Sequence, residues 1–191
     1  MKKMKFIALT LFAAVLTIGG TVNAQEMKHE KTTMVGGAEM YPSKNIVENA
    51  VNSKDHTTLV AAVKAADLVT VLQSEGPFTV FAPVNAAFDK LPEGTVTTLL
   101  KPENKKQLQS VLTYHVVAGD FKASDIVAAI KKGKGTATFQ TVNGAELTAM
   151  MDGKNVKLKD AAGNVATVTI ADVNQSNGVI HVIDTVLLPS K

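Results

Sequence analysis

The chain changes periodicity near its middle, and that change limits what it can fold into. From Ile46 to Ser74 apolar residues recur at helical spacing: Ile46, Val47, Ala50 and Val51, then Leu59, Val60 and Val63, then Leu68, Val69 and Leu72. Beyond Gly133 the pattern becomes short β-branched runs parted by turn dipeptides, Asn143-Gly144, Asp152-Gly153 and Asn177-Gly178, with Ala162-Gly163-Asn164 a weaker signal. Asn-Gly and Asp-Gly supply the positive backbone angles that tight hairpins need. Their spacing of roughly ten residues fits an antiparallel meander. Helices first and hairpins later argue for an α+β fold, not an alternating parallel-sheet one. No internal repeat is visible, so one folded domain is expected.

The segments between refine that outline. Asp55 and Asp67 stand where they can cap the second and third short helices. Gly76-Pro77 ends the helical run, and Phe78 to Val84, β-branched and aromatic, reads as a buried strand. Asn85 is placed to cap a helix over residues 86–91, which Pro92 stops. Pro102 opens a further helix carrying Leu108, Val111 and Leu112, which hands over to a strand around Tyr114 to Val117. Ser124 or Asp125 caps the helix bearing Ile126, Val127 and Ile130, and Lys131-Lys132-Gly133 supplies its basic last turn and glycine stop. The Lys132-Gly133-Lys134-Gly135 run lacks the strand-loop-helix setting of a phosphate loop and reads as a solvated turn.

Residues 1–24 read as a secretory signal peptide. Lys2, Lys3 and Lys5 precede an apolar run from Phe6 to Ile18 and a small-residue cleavage site at Val22-Asn23-Ala24. That run is shorter than the ~20 residues a bilayer-spanning helix needs, so no transmembrane anchor is expected in the mature chain. The protein is therefore expected to be secreted, periplasmic or extracellular. The formal charge of +3 is accounted for by those three lysines, leaving a balanced mature chain. No arginine is present, so the bidentate fork that favours phosphates and base edges is missing and nucleic acid is not an expected partner. Without cysteine there is no disulfide, thiolate ligand or thiol nucleophile, and stability must come from packing.

Residues 25–43 hold few large apolar side chains apart from methionine, include Gly36-Gly37 and end at Tyr41-Pro42, which reads as a flexible or loosely docked leader ahead of a domain over 44–191. Met27, His29, Met34 and Met40 in it are soft ligand types for copper(I), but at a spacing that matches no fixed geometry. A tail whose methionines pack on the domain is the simpler reading. No cofactor is expected.

Three ordered segments go further. They are Phe78-Thr-Val-Phe-Ala-Pro-Val-Asn-Ala-Ala-Phe-Asp-Lys-Leu-Pro92, Leu112-Thr-Tyr-His-Val-Val117 and Asn177-Gly-Val-Ile-His-Val-Ile-Asp-Thr-Val-Leu-Leu-Pro189. Together they resemble the signature of the fasciclin-type adhesion domain, over roughly residues 45 to 189. The resemblance implies a β-wedge or sandwich of mainly antiparallel strands with a cap of short helices. It also implies that the segments around Phe81 and Ile180 are neighbouring central strands, with Phe81, Ile180, Val182 and Val186 inside. The implied function is adhesion, by contact with a cell-surface or matrix protein; the alternative is binding of an envelope polysaccharide or small ligand. The resemblance is silent on oligomeric state.

The resemblance also implies two site motifs. Tyr114-His115 matches a tyrosine-histidine pair linked to adhesion, yet its apolar flanks, Val116 and Val117, argue that the histidine is buried and holds backbone by hydrogen bonds. Asp172-Val173 matches an aspartate-isoleucine pair implicated in integrin recognition, with valine for isoleucine; an ordinary strand-end or turn aspartate is the other reading. The segment from Asp172 to Asn177 is expected to be an exposed recognition loop, in which Asp172→Ala leaves melting nearly unchanged. His115 and His181 are a conceivable metal pair without a third ligand, and His29 and His56 read as solvent-facing. No Gly-x-Ser-x-Gly, Ser-x-x-Lys or His-Glu-x-x-His occurs, so a binding protein is expected and not an enzyme.

Overall fold

The computed structural model describes residues 30–189. The expected signal peptide, and residues 25–29 of the expected leader, lie outside them. The rest of that leader is not a loose tail. Strands β1 (Thr33–Val35) and β2 (Ala38–Met40) form an antiparallel hairpin around Gly36-Gly37, both glycines at positive φ. Val35 and Met40 are each 3% exposed and pack against the core. The ordered unit thus begins before residue 44. Two side chains one strand apart anchor it, a pattern too short to register as periodicity.

The helical layer follows as α1 (Ile46–Ala50), α2 (Thr57–Ala65) and α3 (Val69–Gln73). Asn45 caps α1 by accepting the amides of Val47 and Glu48 at 3.0 and 2.9 Å, while Glu48 accepts the amide of Asn45 at 2.9 Å. Asp55 and Asp67 do not cap. Asp55 lies within a 3-10 turn, and Asp67 adopts φ +54 and pairs with Lys105.

Strand β3 (Phe78–Pro83) leads to α4 (Asn85–Phe88), α5 (Thr95–Leu99) and α6 (Lys105–Tyr114). Asn85 does not cap α4; its carboxamide accepts the amide of Thr58 at 3.0 Å and donates to the Lys54 carbonyl at 2.8 Å, tying α4 to the start of α2. Strand β4 (Val116–Ala118) begins two residues later than expected, because Tyr114 completes α6 and His115 is its C-cap. Helix α7 (Ala123–Lys132) begins with Asp125 accepting the amide of Lys122 at 3.0 Å and stops at Gly133. The meander is β5 (Thr136–Gln140), β6 (Glu146–Asp152), β7 (Asn155–Lys159), β8 (Val165–Gln175) and β9 (Gly178–Ile183), with the four anticipated turns at its corners.

The main sheet runs β4-β3-β9-β8-β7-β6-β5, and only β3 and β9 pair parallel, with Val80 opposite Ile180 and Phe81 opposite His181. An isolated bridge between Val117 and Thr141, and the Val142 amide donating to Val116 at 2.7 Å, draw the two edges towards each other. The sheet is therefore a wedge close to a closed barrel. Alternation along β3 and β9 sorts the core into two bodies. Val80, Ala82, Ile180 and Val182 meet the helices and the hairpin. Phe81 and Ile183 turn the other way, into the wedge with Ile126, Leu147, Leu158 and Leu187. Covered on both faces, these strands read as continuous apolar runs, which is why they stand out in the sequence. Phe81, Ile180, Val182 and Val186 are all buried, as the resemblance implied.

Candidate functional site

His115 is 3% exposed, and both its ring nitrogens are engaged. Nδ1 donates to the Val111 carbonyl at 2.8 Å, and Nε2 accepts the amide of Leu187 at 3.0 Å. The ring thus ties the end of α6 to the C-terminal segment beyond β9. One nitrogen must donate and the other accept, which requires the neutral ring. Burial, against the pull of the Val111 carbonyl and of Asp160, lowers its pKa from 6.5 to about 4. Tyr114 is fully buried; its hydroxyl donates to the Glu146 carbonyl at 2.8 Å and accepts the amide of Ala161 at 3.2 Å. Burial raises its pKa.

The segment 172–177 is not an exposed loop. Strand β8 extends to Gln175, and Val173, Gln175 and Asn177 are buried. Asp172 lies at an irregularity in the β8–β9 register, at φ +58, a region that aspartate tolerates better than most residues. There its Oδ1 accepts the amide of Ala123, the first residue of α7, at 2.7 Å. A carboxylate from a distant strand therefore caps a helix, and the same residue's amide donates to Nδ1 of His181 at 3.4 Å. His181 in turn donates from Nε2 to the Phe121 carbonyl at 2.8 Å and stacks on Phe81 with centroids 5.7 Å apart. Burial lowers the pKa of His181. With all four nitrogens of His115 and His181 committed to backbone, neither imidazole is free to ligate a metal. Among the described residues no group of three His, Cys, Asp or Glu side chains is placed to hold an ion.

Two other expectations change. His56 is 3% exposed, its Nδ1 2.9 Å from the Ser53 hydroxyl, and burial lowers its pKa; it does not face solvent. Of the suggested copper ligands, Met27 and His29 lie outside the described residues. Met34 is 57% exposed while Met40 is buried, so these two do not converge.

An opening that can receive a partner lies at the β8–β9 turn, where a cleft of about 470 Å³ runs between the start of α1, the α3–β3 connection and the turn. Its walls carry Asn45, Gln73, Glu75, Asp120 and Ser176. Glu75 and Asp120 are exposed, and among the described residues no cationic side chain lines the cleft. Its floor is fixed. Asn177 donates from Nδ2 to the carbonyls of Leu72 and Ser74 at 2.8 and 2.9 Å and accepts the amide of Ile46 at 3.1 Å. Beside it, Asn49 donates to Gln175, whose amide donates to the Val173 carbonyl at 3.1 Å. The segment was expected to be exposed because its residues are polar, but Gln175 and Asn177 turn inward and spend their amides on backbone and on Asn49. The arrangement offers carboxylates, amides and hydroxyls on a rigid base, suited to hydrogen bonding and ion pairing with a cationic surface.

Among the described residues no helix is long and apolar enough to cross a membrane. The chain is 48% identical over 185 residues to protein sll1483 of Synechocystis, covering 96% of this chain and 94% of that one. It is 37% identical over 145 residues to the cell surface glycolipoprotein MPB83 of Mycobacterium bovis, covering 73% of this chain but 58% of that protein. In fold it resembles a domain pair from the insect cell adhesion molecule Fasciclin I, with a TM-score of 0.53 at 23% identity over 68% of this chain and 43% of that one. The Fasciclin domain family profile matches residues 54–189, and the chain belongs to that family.

Proposed function

We propose that this chain is an exported, non-catalytic binding protein that supports adhesion or matrix association by protein–protein contact at the cell surface. The observation that carries this reading is the acidic cleft at the β8–β9 turn, with Glu75 and Asp120 exposed over a floor locked by Asn177. Recognition groups on a rigid scaffold lose little freedom on binding, which favours affinity. The partner that complements this charge is a lysine- or arginine-rich protein surface. The adhesion-related character of the family and the cell-surface name of the mycobacterial relative support the location. The commitment of His115 and His181 to backbone supports a binding role over catalysis, because a general base needs a free nitrogen within reach of its substrate.

Cross-linking on the native cell surface followed by pull-down tests this reading. The double variant Glu75→Gln, Asp120→Asn keeps the shape and removes the charge; it is expected to retain its melting temperature and to lose its protein partners. Retention of the same partners by the folded variant rules the cleft out. Binding of an envelope polysaccharide is the second reading, favoured by the amides of Asn45 and Gln73 in the walls and weakened by the lack of an aromatic ring there. A glycan array separates the two.

A further inference from the structure

The helical layer and the sheet do not close completely on each other. A cavity of about 70 Å³ remains between them, bounded by α1, α2, α3 and α6 on one side and by Val80 and Ile180 on the other, and its surface is wholly apolar. Water entering it finds no hydrogen-bond partner, so such a space stays dry or takes an apolar guest. It is not sealed. Val71 and Val142 on its rim are 49% and 47% exposed, among the few large apolar side chains that the described residues leave in solvent. Lys64 stands on the same rim, exposed, and its ammonium takes part in none of the ion pairs among the described residues.

We propose that this cavity binds the alkyl end of a small single-chain carboxylate, with the methyl end among Val63, Leu72 and Ile180 and the carboxylate at Lys64. Size and charge both argue for that class. An apolar cavity of about 150 Å³ takes a benzene ring. One of about 70 Å³ therefore takes about three terminal carbons. The rest of the chain lies along the open rim over Val71 and Val142. A long aliphatic stem with a charged tip, at the edge of apolar surface, matches an amphiphile of opposite charge. The cavity shares no lining residue with the acidic cleft, so this site stands or falls independently of the adhesion reading.

Methyl-detected NMR titration of the protein with sodium octanoate, and separately with 1-octanol, provides the test. Saturable shifts confined to the methyls of Val60, Val63, Leu72 and Ile180 are expected with both probes. Lys64→Gln should weaken octanoate about two- to fivefold, the worth of an exposed ion pair, and leave octanol unchanged. Ala50→Leu, which fills the cavity from α1, should abolish both; Val60→Phe, at a partly exposed position, serves the same end if Ala50→Leu does not fold. Shifts that fail to saturate, or that scatter over the surface, overturn the site, as does a folded, filled variant that binds octanoate like the parent. Equal loss of octanoate and octanol affinity in Lys64→Gln, or no loss of either, overturns the assignment of a carboxylate.

Discussion

Asp172 accepts the backbone amide of Ala123 at 2.7 Å, so the aspartate that the family resemblance marks for recognition is the cap of α7. Capping residues are worth about 1 kcal/mol. Alanine tolerates the left-handed region that Asp172 occupies less well than aspartate, which adds to that loss. Asp172→Ala should therefore lower stability by about 1–2 kcal/mol in urea denaturation, contrary to the expectation from sequence. Asp172→Asn keeps an acceptor and tolerates the backbone angle, and should lose less than about 1 kcal/mol. Equal stability of the alanine variant and the parent would remove the capping role.

The buried histidines make stability depend on pH in one direction. His115 titrates near 6.5 when unfolded and at about 4 in the fold, so the unfolded chain binds the extra proton first. Its stabilising contribution is complete above pH 6.5 and is lost as pH falls towards 4. The shift corresponds to roughly 3 kcal/mol. Burial lowers His56 and His181 as well, and both act in the same sense. His115→Ala should be less stable than the parent at neutral pH, since the Val111 carbonyl and Leu187 amide lose their partner, and its stability should fall less steeply between pH 6.5 and 4. Denaturation midpoints across that range decide; parallel pH profiles for variant and parent would contradict the assignment.

What the sequence makes legible is local. The corners of the meander are visible because Asn143-Gly144, Asp152-Gly153 and Asn177-Gly178 carry their turn chemistry within two residues. The adjacency of β3 and β9 came from the family resemblance; composition alone marks both strands only as buried. Asn177 was illegible as a latch because its partners Leu72 and Ile46 lie 105 and 131 positions away. His56 sits among Lys54, Asp55 and Thr57 and looks exposed until the 3-10 turn tucks it inwards. The exposed acidic side chains of the site, Glu75 and Asp120, carry no motif. They become a pair only when the α3–β3 connection and the residues after β4 meet beside the β8–β9 turn.

The hairpin ahead of α1 is a structural part of the domain, and its two methionines separate that claim from a loosely docked tail. Met40 is 3% exposed against the core and Met34 is 57% exposed. Met40→Ala should cost about 2–5 kcal/mol, the usual range for emptying a core position, whereas Met34→Ala should stay within about 0.5 kcal/mol. Thermal melts of the two variants give the comparison. If both leave the melting temperature unchanged, the hairpin contributes nothing to the fold.

Gly178 and Asn177 together set the register on which the two halves of the core depend. A Cβ at Gly178 would overlap the carbonyl oxygen of Phe78, its partner at the first position of the parallel β3–β9 ladder, and φ at Gly178 is +150. Gly178→Ala must push the strands apart where Val80, Ala82, Ile180 and Val182 begin to pack, at a cost on the order of 3 kcal/mol or more. Asn177→Ala leaves the buried Ile46 amide and Leu72 carbonyl unpaired, and at about 1–3 kcal/mol for each it should be comparably destabilising, while the Ser74 carbonyl at the exposed edge can turn to water. Asn177→Asp should be no better at neutral pH, because a carboxylate can accept from Ile46 but cannot donate to either carbonyl. Amide hydrogen exchange gives the spatial readout: protection should fall first at Ile46 and along Phe78–Pro83, while β5–β7 keep theirs. Uniform loss across the sheet would mean that the turn is not a local latch but one contact among many.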